Sequence, residues 1–141
     1  MSTATSEQAA TNALFASAAT TLAQFLIDHD GPECASATLD YLGASADVPR
    51  VLLHLSSPHR LSDLAGWAEL LSEPTVMITR RPTSIAATVE LVVDDIPFTL
   101  WSHLARDETT AVWNEIDLPP EVDESVRFSV DALRRAANGG A

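Results

Sequence analysis

Apolar and polar residues alternate between residues 84 and 103, and this pattern constrains the fold more than any other feature of the sequence. Side chains on one face of a strand recur at every second position, and the apolar ones here are Ile85, Ala87, Val89, Leu91, Val93, Ile96, Phe98 and Leu100. The acidic pair Asp94-Asp95 interrupts the alternation where a tight turn would reverse the chain. We therefore predict a β-hairpin in which Leu91 lies opposite Phe98. Val89 then lies opposite Leu100, so that apolar residues meet on one face.

The same register predicts where the hairpin sits in its sheet. Val92 and Pro97 form a pair without mutual hydrogen bonds, so the backbone nitrogen of Pro97 faces away from its hairpin partner. A further strand on that side would need an N–H that proline lacks. The return strand is therefore predicted to be a sheet edge, at least near Pro97.

Apolar periodicity and turn residues assign the rest of the chain. Helices are predicted over residues 7–29, 57–72 and 121–137, the second starting at Ser57-Pro58. Strands are predicted over residues 50–56 and 75–80. Residues 34–42 favour a strand but leave a short helix open, and 43–47 read as a turn. Residues 104–120 are predicted to be surface loop, with loose tails at 1–6 and 138–141.

Together these elements predict a single α+β domain over residues 1–141. Its core is a mostly antiparallel sheet of four or five strands, with helices packed on it at both ends of the chain. Strand 50–56, the helix after it and strand 75–80 are expected to form one crossover within that sheet.

Charge and composition exclude several classes of function. The formal charge is −12, from 20 acidic residues and 8 basic ones, and such a charge repels nucleic-acid backbones. The single cysteine, Cys34, permits no internal disulfide, and the N-terminus lacks the basic segment of a signal peptide. No apolar run approaches the roughly 20 residues of a membrane span. We therefore expect a cytoplasmic protein that binds neither membrane nor nucleic acid.

No group of residues in the sequence predicts catalysis, a metal or a cofactor. His54 and His59 straddle a strand end and a helix start, and a zinc site would need further ligands. Cys34 lies near His29, but a catalytic thiol needs a base and an oxyanion site that the sequence does not reveal. Adjacent acids such as Asp94-Asp95 are usually solvated. A small enzyme with a dispersed site around Cys34 or the histidines stays open as an alternative.

Residues 107–124 hold seven acids and no basic residue. This segment is either a solvated loop with a favourable helix start, or a surface that docks onto a basic protein by mimicking a nucleic acid.

The outer face of the predicted hairpin is the candidate interface. Thr88 and Glu90 would lie there beside Thr99, Trp101 and His103. Aromatic residues with polar neighbours are enriched at protein interfaces. The competing interpretation is that a helix of the same chain covers Trp101.

Part of the chain resembles a group of small acidic proteins from actinobacteria and their phages or plasmids. The resemblance covers residues 49–103 and lies in Arg50-Val-Leu-Leu-His-Leu-Ser-Ser-Pro58, Leu64-Ala-Gly-Trp67-Ala-Glu-Leu70 and Val93-Asp-Asp-Ile96-Pro-Phe-Thr-Leu-Trp101. It implies a genomic context and no activity.

The leading functional expectation is a non-enzymatic interaction or assembly protein that forms homo-oligomers. The almost uncharged first helix, with no acid or base from Asn12 to Ile27, and the hairpin tryptophan both favour protein–protein contact.

Overall fold

The computed structural model describes residues 3–32, 34–41, 49–55, 60–116 and 118–139. Within these ranges the chain forms four helices and six strands. In chain order they are α1 (Thr3–Asp28), β1 (Ser36–Tyr41), β2 (Pro49–His54), α2 (Arg60–Leu70), β3 (Thr75–Arg80), β4 (Ile85–Val93), β5 (Ile96–His103), α3 (Arg106–Trp113), β6 (Ser125–Phe128) and α4 (Val130–Gly139). The α+β class is confirmed. The predicted turn at 43–47 and the predicted helix start at Ser57-Pro58 lie outside the described residues.

The six strands form one mixed sheet in the order β1-β2-β5-β4-β3-β6. Only β2 and β5 are parallel, and the other neighbours are antiparallel. The sheet is therefore larger than the four or five strands predicted, though still mostly antiparallel. Strand β2, helix α2 and strand β3 form a crossover. In the sheet, however, the hairpin β4–β5 lies between β2 and β3.

The predicted hairpin is present with the predicted register. Leu91 lies opposite Phe98 and Val89 opposite Leu100. The turn residues Asp94 and Asp95 have φ angles of 50° and 66°, the left-handed values that both central positions of a type I′ turn require. Local alternation and a two-residue turn were therefore sufficient to fix this unit.

The prediction that β5 is an edge strand was wrong. β2 pairs with it over Phe98–Trp101, so β5 is an interior strand. Pro97 lies one position before the first of these pairs, so its missing N–H leaves no hydrogen bond of the β2–β5 ladder unmade. The proline therefore limits where the β2 ladder begins without placing the strand at the edge.

The core lies between the sheet and a layer of helices. Phe25 of α1 packs on Phe98 of β5 and on Trp67 of α2, with ring centroids 4.9 and 5.6 Å apart. Trp67 is only 1% exposed. Its indole Nε1 donates a hydrogen bond of 2.9 Å to the carbonyl oxygen of Pro32, which fixes the chain that leaves α1.

Helix α1 begins earlier, and helix α4 ends later, than predicted. Helix α1 begins at Thr3, so residues 3–6 of the predicted tail are helical. Helix α4 continues to Gly139, two residues past its predicted end. Along α1 the side chains of Leu14, Leu26 and Ile27 are exposed, Ile27 by 76%.

The region from 104 to 137 differs most from the prediction. Residues 106–113, expected to be loop, form helix α3, which buries Ala111 and Val112. The predicted helix over 121–137 is instead strand β6 followed by α4. Val122, within the range predicted to be helical, is 46% exposed. Ser129 marks the true helix start, because its hydroxyl accepts a hydrogen bond from the backbone N–H of Ala132.

Candidate interaction surface

One face of the sheet carries the helices and the other carries none of those in the described residues. The helix layer covers the face formed by Val51, Leu53, Val76, Ile78, Ala87, Val89, Phe98 and Leu100, all at most 1% exposed. Side chains at the alternate positions point to the opposite face. We call this opposite face the open face. The interpretation in which a helix of the described chain covers Trp101 therefore does not apply, and Trp101 is half-buried.

The strand registers place Trp101 in the middle of the open face. Residues directly opposite one another in neighbouring strands share a face. One row of such residues crosses all six strands, and its members are Ser36, His54, Trp101, Thr88, Met77 and Arg127. The neighbouring row contains Leu52, Thr99 and Glu90.

The Trp101 ring packs against two histidines. His54 of β2 stacks on it with the ring centroids 4.2 Å apart and the planes inclined by 20°. His103, two residues along β5, meets it edge-on at 5.3 Å and 84°. Aromatic contacts of this kind stabilise by about 0.5–1.5 kcal/mol beyond the area they bury. The indole is therefore held in place before any partner arrives, which lowers the entropy lost on binding.

The open face is electrically balanced. Its charged side chains are Asp40, Arg50, Glu90 and Arg127, two of each sign, apart from the histidines. Arg50 donates from Nε to a carboxylate oxygen of Asp40 at 2.7 Å. The whole chain carries −12, so the acidic excess lies elsewhere on the molecule.

A hollow of about 520 Å³ lies at the end of the open face near the hairpin turn. It is lined by residues from four strands, among them Arg50, Thr75, Glu90, Pro97 and Thr99. Its lining holds one cation, Arg50, and two acids, Glu73 and Glu90, beside apolar and hydroxyl side chains. The hollow therefore offers surface relief for a protein partner.

The five residues chosen from the sequence lie together on this face. Thr88 is opposite Trp101, Glu90 is opposite Thr99, and His103 ends the same strand as Trp101. Sequence reasoning missed His54, which stacks on the tryptophan. The alternation of Arg50, Leu52 and His54 along β2 places that histidine on one face, but only the pairing of β2 with β5 brings it to Trp101.

Of the alternative dispersed site the structure describes Cys34, His29, His54 and His103, and His59 lies outside the described residues. The Nδ1 of His29 lies 2.9 Å from the carbonyl oxygen of Phe25 in α1, and His54 and His103 flank Trp101. In the described part of the chain Cys34 shares no hydrogen bond with a histidine. Burial and, secondarily, the charge of Asp63 raise the pKa of the Cys34 thiol above its ordinary value of 9.0. A raised pKa disfavours the thiolate that a nucleophile requires.

Three acids of the segment 107–124 have internal partners. Glu108 is 7% exposed, and its carboxylate accepts hydrogen bonds from the backbone N–H groups of Leu61, at 2.8 Å, and Ala105, at 2.9 Å. Glu115 pairs with Arg135, and Asp123 with Arg81. Glu108 and Glu115 connect elements of the fold, which leaves fewer acids of this segment to mimic a nucleic-acid backbone.

Within the described ranges there is no group of three or more histidine, cysteine or carboxylate side chains that could hold a metal ion. No helix in these ranges combines the length and apolarity needed to cross a lipid bilayer. The described residues form a two-layer α+β fold in which no described helix covers one face of the sheet. The sequence matches no protein-family model, no curated protein and no solved structure.

Proposed function

We propose that this is a non-enzymatic interaction protein that associates with a second copy of itself through the open face. The observation that carries the proposal is Trp101, which packs between two histidines at the centre of a six-stranded sheet face that no described helix covers. Large aromatic side chains at the centre of an interface contribute most of the binding energy. A sheet face that is partly apolar gains by burial against a similar face.

The charge distribution favours a second copy over a basic partner. Two copies that each carry −12 repel one another over most orientations. The open face, with two acids and two arginines, is the approach that avoids this repulsion. A symmetric pairing would also let Glu90 of each copy approach an arginine of the other. A strongly basic protein would be drawn to the acidic remainder of the surface instead.

Sedimentation velocity on two open-face variants tests the proposal. Trp101→Ala removes the central side chain and is expected to raise the dimer dissociation constant by at least about thirtyfold. Thr99→Arg adds a long cation that can reach solvent in the monomer but would be trapped between two faces. Both variants should sediment as monomers at concentrations where the unaltered chain is dimeric.

Leu118→Ser is the matched control. Leu118 is 82% exposed and lies outside the sheet, so its loss removes exposed apolar surface without touching the open face. This variant should remain dimeric. Circular dichroism of each variant separates loss of association from loss of fold. Dimers that persist in both open-face variants would place the contact elsewhere, with the uncharged surface of α1 as the next region to test.

A further inference from the structure

A second cleft lies at the far end of the sheet from the hairpin turn. The loop between β3 and β4 forms one wall and helix α3 forms the other, and the space between them is about 540 Å³. Pockets for small molecules usually occupy about 300–1,000 Å³. The open face does not include these residues, so the cleft is a separate feature of the molecule.

Three arginines line this cleft and no acid does. Arg80 and Arg81 come from the β3–β4 side, and Arg106 comes from the first turn of α3. The chain has only 8 basic residues against 20 acidic ones, so three of them at one cleft is a marked local reversal of charge. The cleft therefore attracts anions, whereas the acidic remainder of the surface repels them.

The guanidinium groups are largely free to bind. Arg106 forms no ion pair and no side-chain hydrogen bond within the described ranges. Arg80 donates once, to the carbonyl oxygen of Pro120 at 3.2 Å. Arg81 faces Asp123 at 3.4 Å, with both side chains more than half exposed, and such surface pairs are weak. The three groups carry roughly fifteen N–H donors between them.

The rest of the lining combines hydroxyl and apolar side chains. The hydroxyls of Thr83 and Ser84 make no hydrogen bond with a described residue and can donate to a ligand. Ile85 and Leu104 supply apolar surface, and Trp113 supplies a half-buried ring. This pairing of cations with an aromatic group suits a ligand that has one charged end and one flat end.

We propose that this cleft binds a small phosphorylated compound with an aromatic ring, of the size of a nucleoside monophosphate. A phosphate monoester offers three strong acceptor oxygens and close to two negative charges, which uses more of the available donors than a carboxylate does. Arginine forks bind phosphate through paired hydrogen bonds. A long nucleic acid is disfavoured, because it would extend beyond the cleft over a chain whose net charge of −12 repels a polyanion.

Isothermal titration of the full chain with adenosine monophosphate, inorganic phosphate and adenosine tests this proposal. We expect the nucleotide to bind with a submillimolar dissociation constant, at least about tenfold tighter than either fragment. Arg106→Gln should weaken nucleotide binding by at least about tenfold, since it removes a charged donor. Arg106 is exposed, so this change should leave the fold intact.

Arg134→Gln is the control. Arg134 is also an exposed arginine, but it pairs with Glu69 on α2 at 2.6 Å and lies outside the cleft. It should bind the nucleotide as the unaltered chain does. No binding at about 10 mM nucleotide, or equal affinity in the Arg106→Gln chain, would overturn the proposal. Phosphate binding as tightly as the nucleotide would overturn the part assigned to the aromatic ring. None of these results depends on whether the chain is a dimer.

Discussion

At the scale of single residues, the lack of a Cβ atom at Gly31 makes room for the ring of Trp67. A Cβ atom at this position would lie 2.6–2.8 Å from three ring atoms of Trp67, closer than non-bonded carbons approach. The ring is 1% exposed and is held by its hydrogen bond to Pro32, so it cannot move aside freely. Only glycine lets the chain leave α1 across the face of this indole.

Gly31→Ala is therefore expected to destabilise the protein by about 1–3 kcal/mol, the usual cost of overpacking. Chemical denaturation followed by tryptophan fluorescence measures the change. Gly139→Ala is the control, since a Cβ there meets nothing within 4 Å, and it should leave stability almost unchanged. A Gly31→Ala chain as stable as the unaltered one would show that the Trp67 contact is looser than described.

Cys34 gives stability a dependence on alkaline pH. Its folded-state pKa is raised by burial and by Asp63, so the unfolded chain ionises this thiol first as the pH rises. The unfolded state then gains stability relative to the folded state, up to the folded pKa. The free energy of unfolding should therefore fall more steeply above about pH 9 in the unaltered chain than in Cys34→Ser. Parallel curves for the two chains between pH 7 and 10 would contradict this account.

At the scale of elements, the turn Asp94-Asp95 is the part of the hairpin with a strained backbone. Both residues have positive φ, and the second position of a type I′ turn favours glycine. Asp95→Gly should stabilise the protein by up to about 1 kcal/mol, seen as a rise in the melting temperature. Asp131→Gly, in the first turn of α4, should instead lower it. A fall in both variants would mean that Asp95 stabilises the turn through its side chain.

The elements that could be predicted are those whose signals are local. The hairpin and strands β2 and β3 follow from local apolar patterns and turn residues, whereas the same signals at 34–42 favoured a strand but left a short helix open. Helix α3 could not be predicted in this way, because its burial depends on contacts from distant parts of the chain, such as Glu108 with the backbone of Leu61 47 residues away. Strand β6 likewise depends on its pairing with β3. The local sequence does not reveal it, because Val126 fits the spacing of a helix as well as that of a strand.

At the scale of the whole molecule, strand order decides which residues form the candidate site. The hairpin register alone brought Thr88, Glu90, Thr99 and Trp101 to one face. It could not show that β2 lies beside β5, which adds His54 and Leu52, or that β3 and β6 extend the face to Met77 and Arg127. The same pairing makes β5 an interior strand, so Trp101 is offered by a sheet face and not by a strand edge.

Sedimentation equilibrium of the unaltered full chain, over a range of concentrations, tests the central claim most directly. The chain has a mass of 15.1 kDa. If the open face binds a second copy, the measured mass should rise toward twice this value at micromolar concentrations. Because the balanced open face removes repulsion only where the two copies meet, added salt should strengthen the association by screening the remaining acids. A mass of 15.1 kDa at every concentration and salt level would contradict the account.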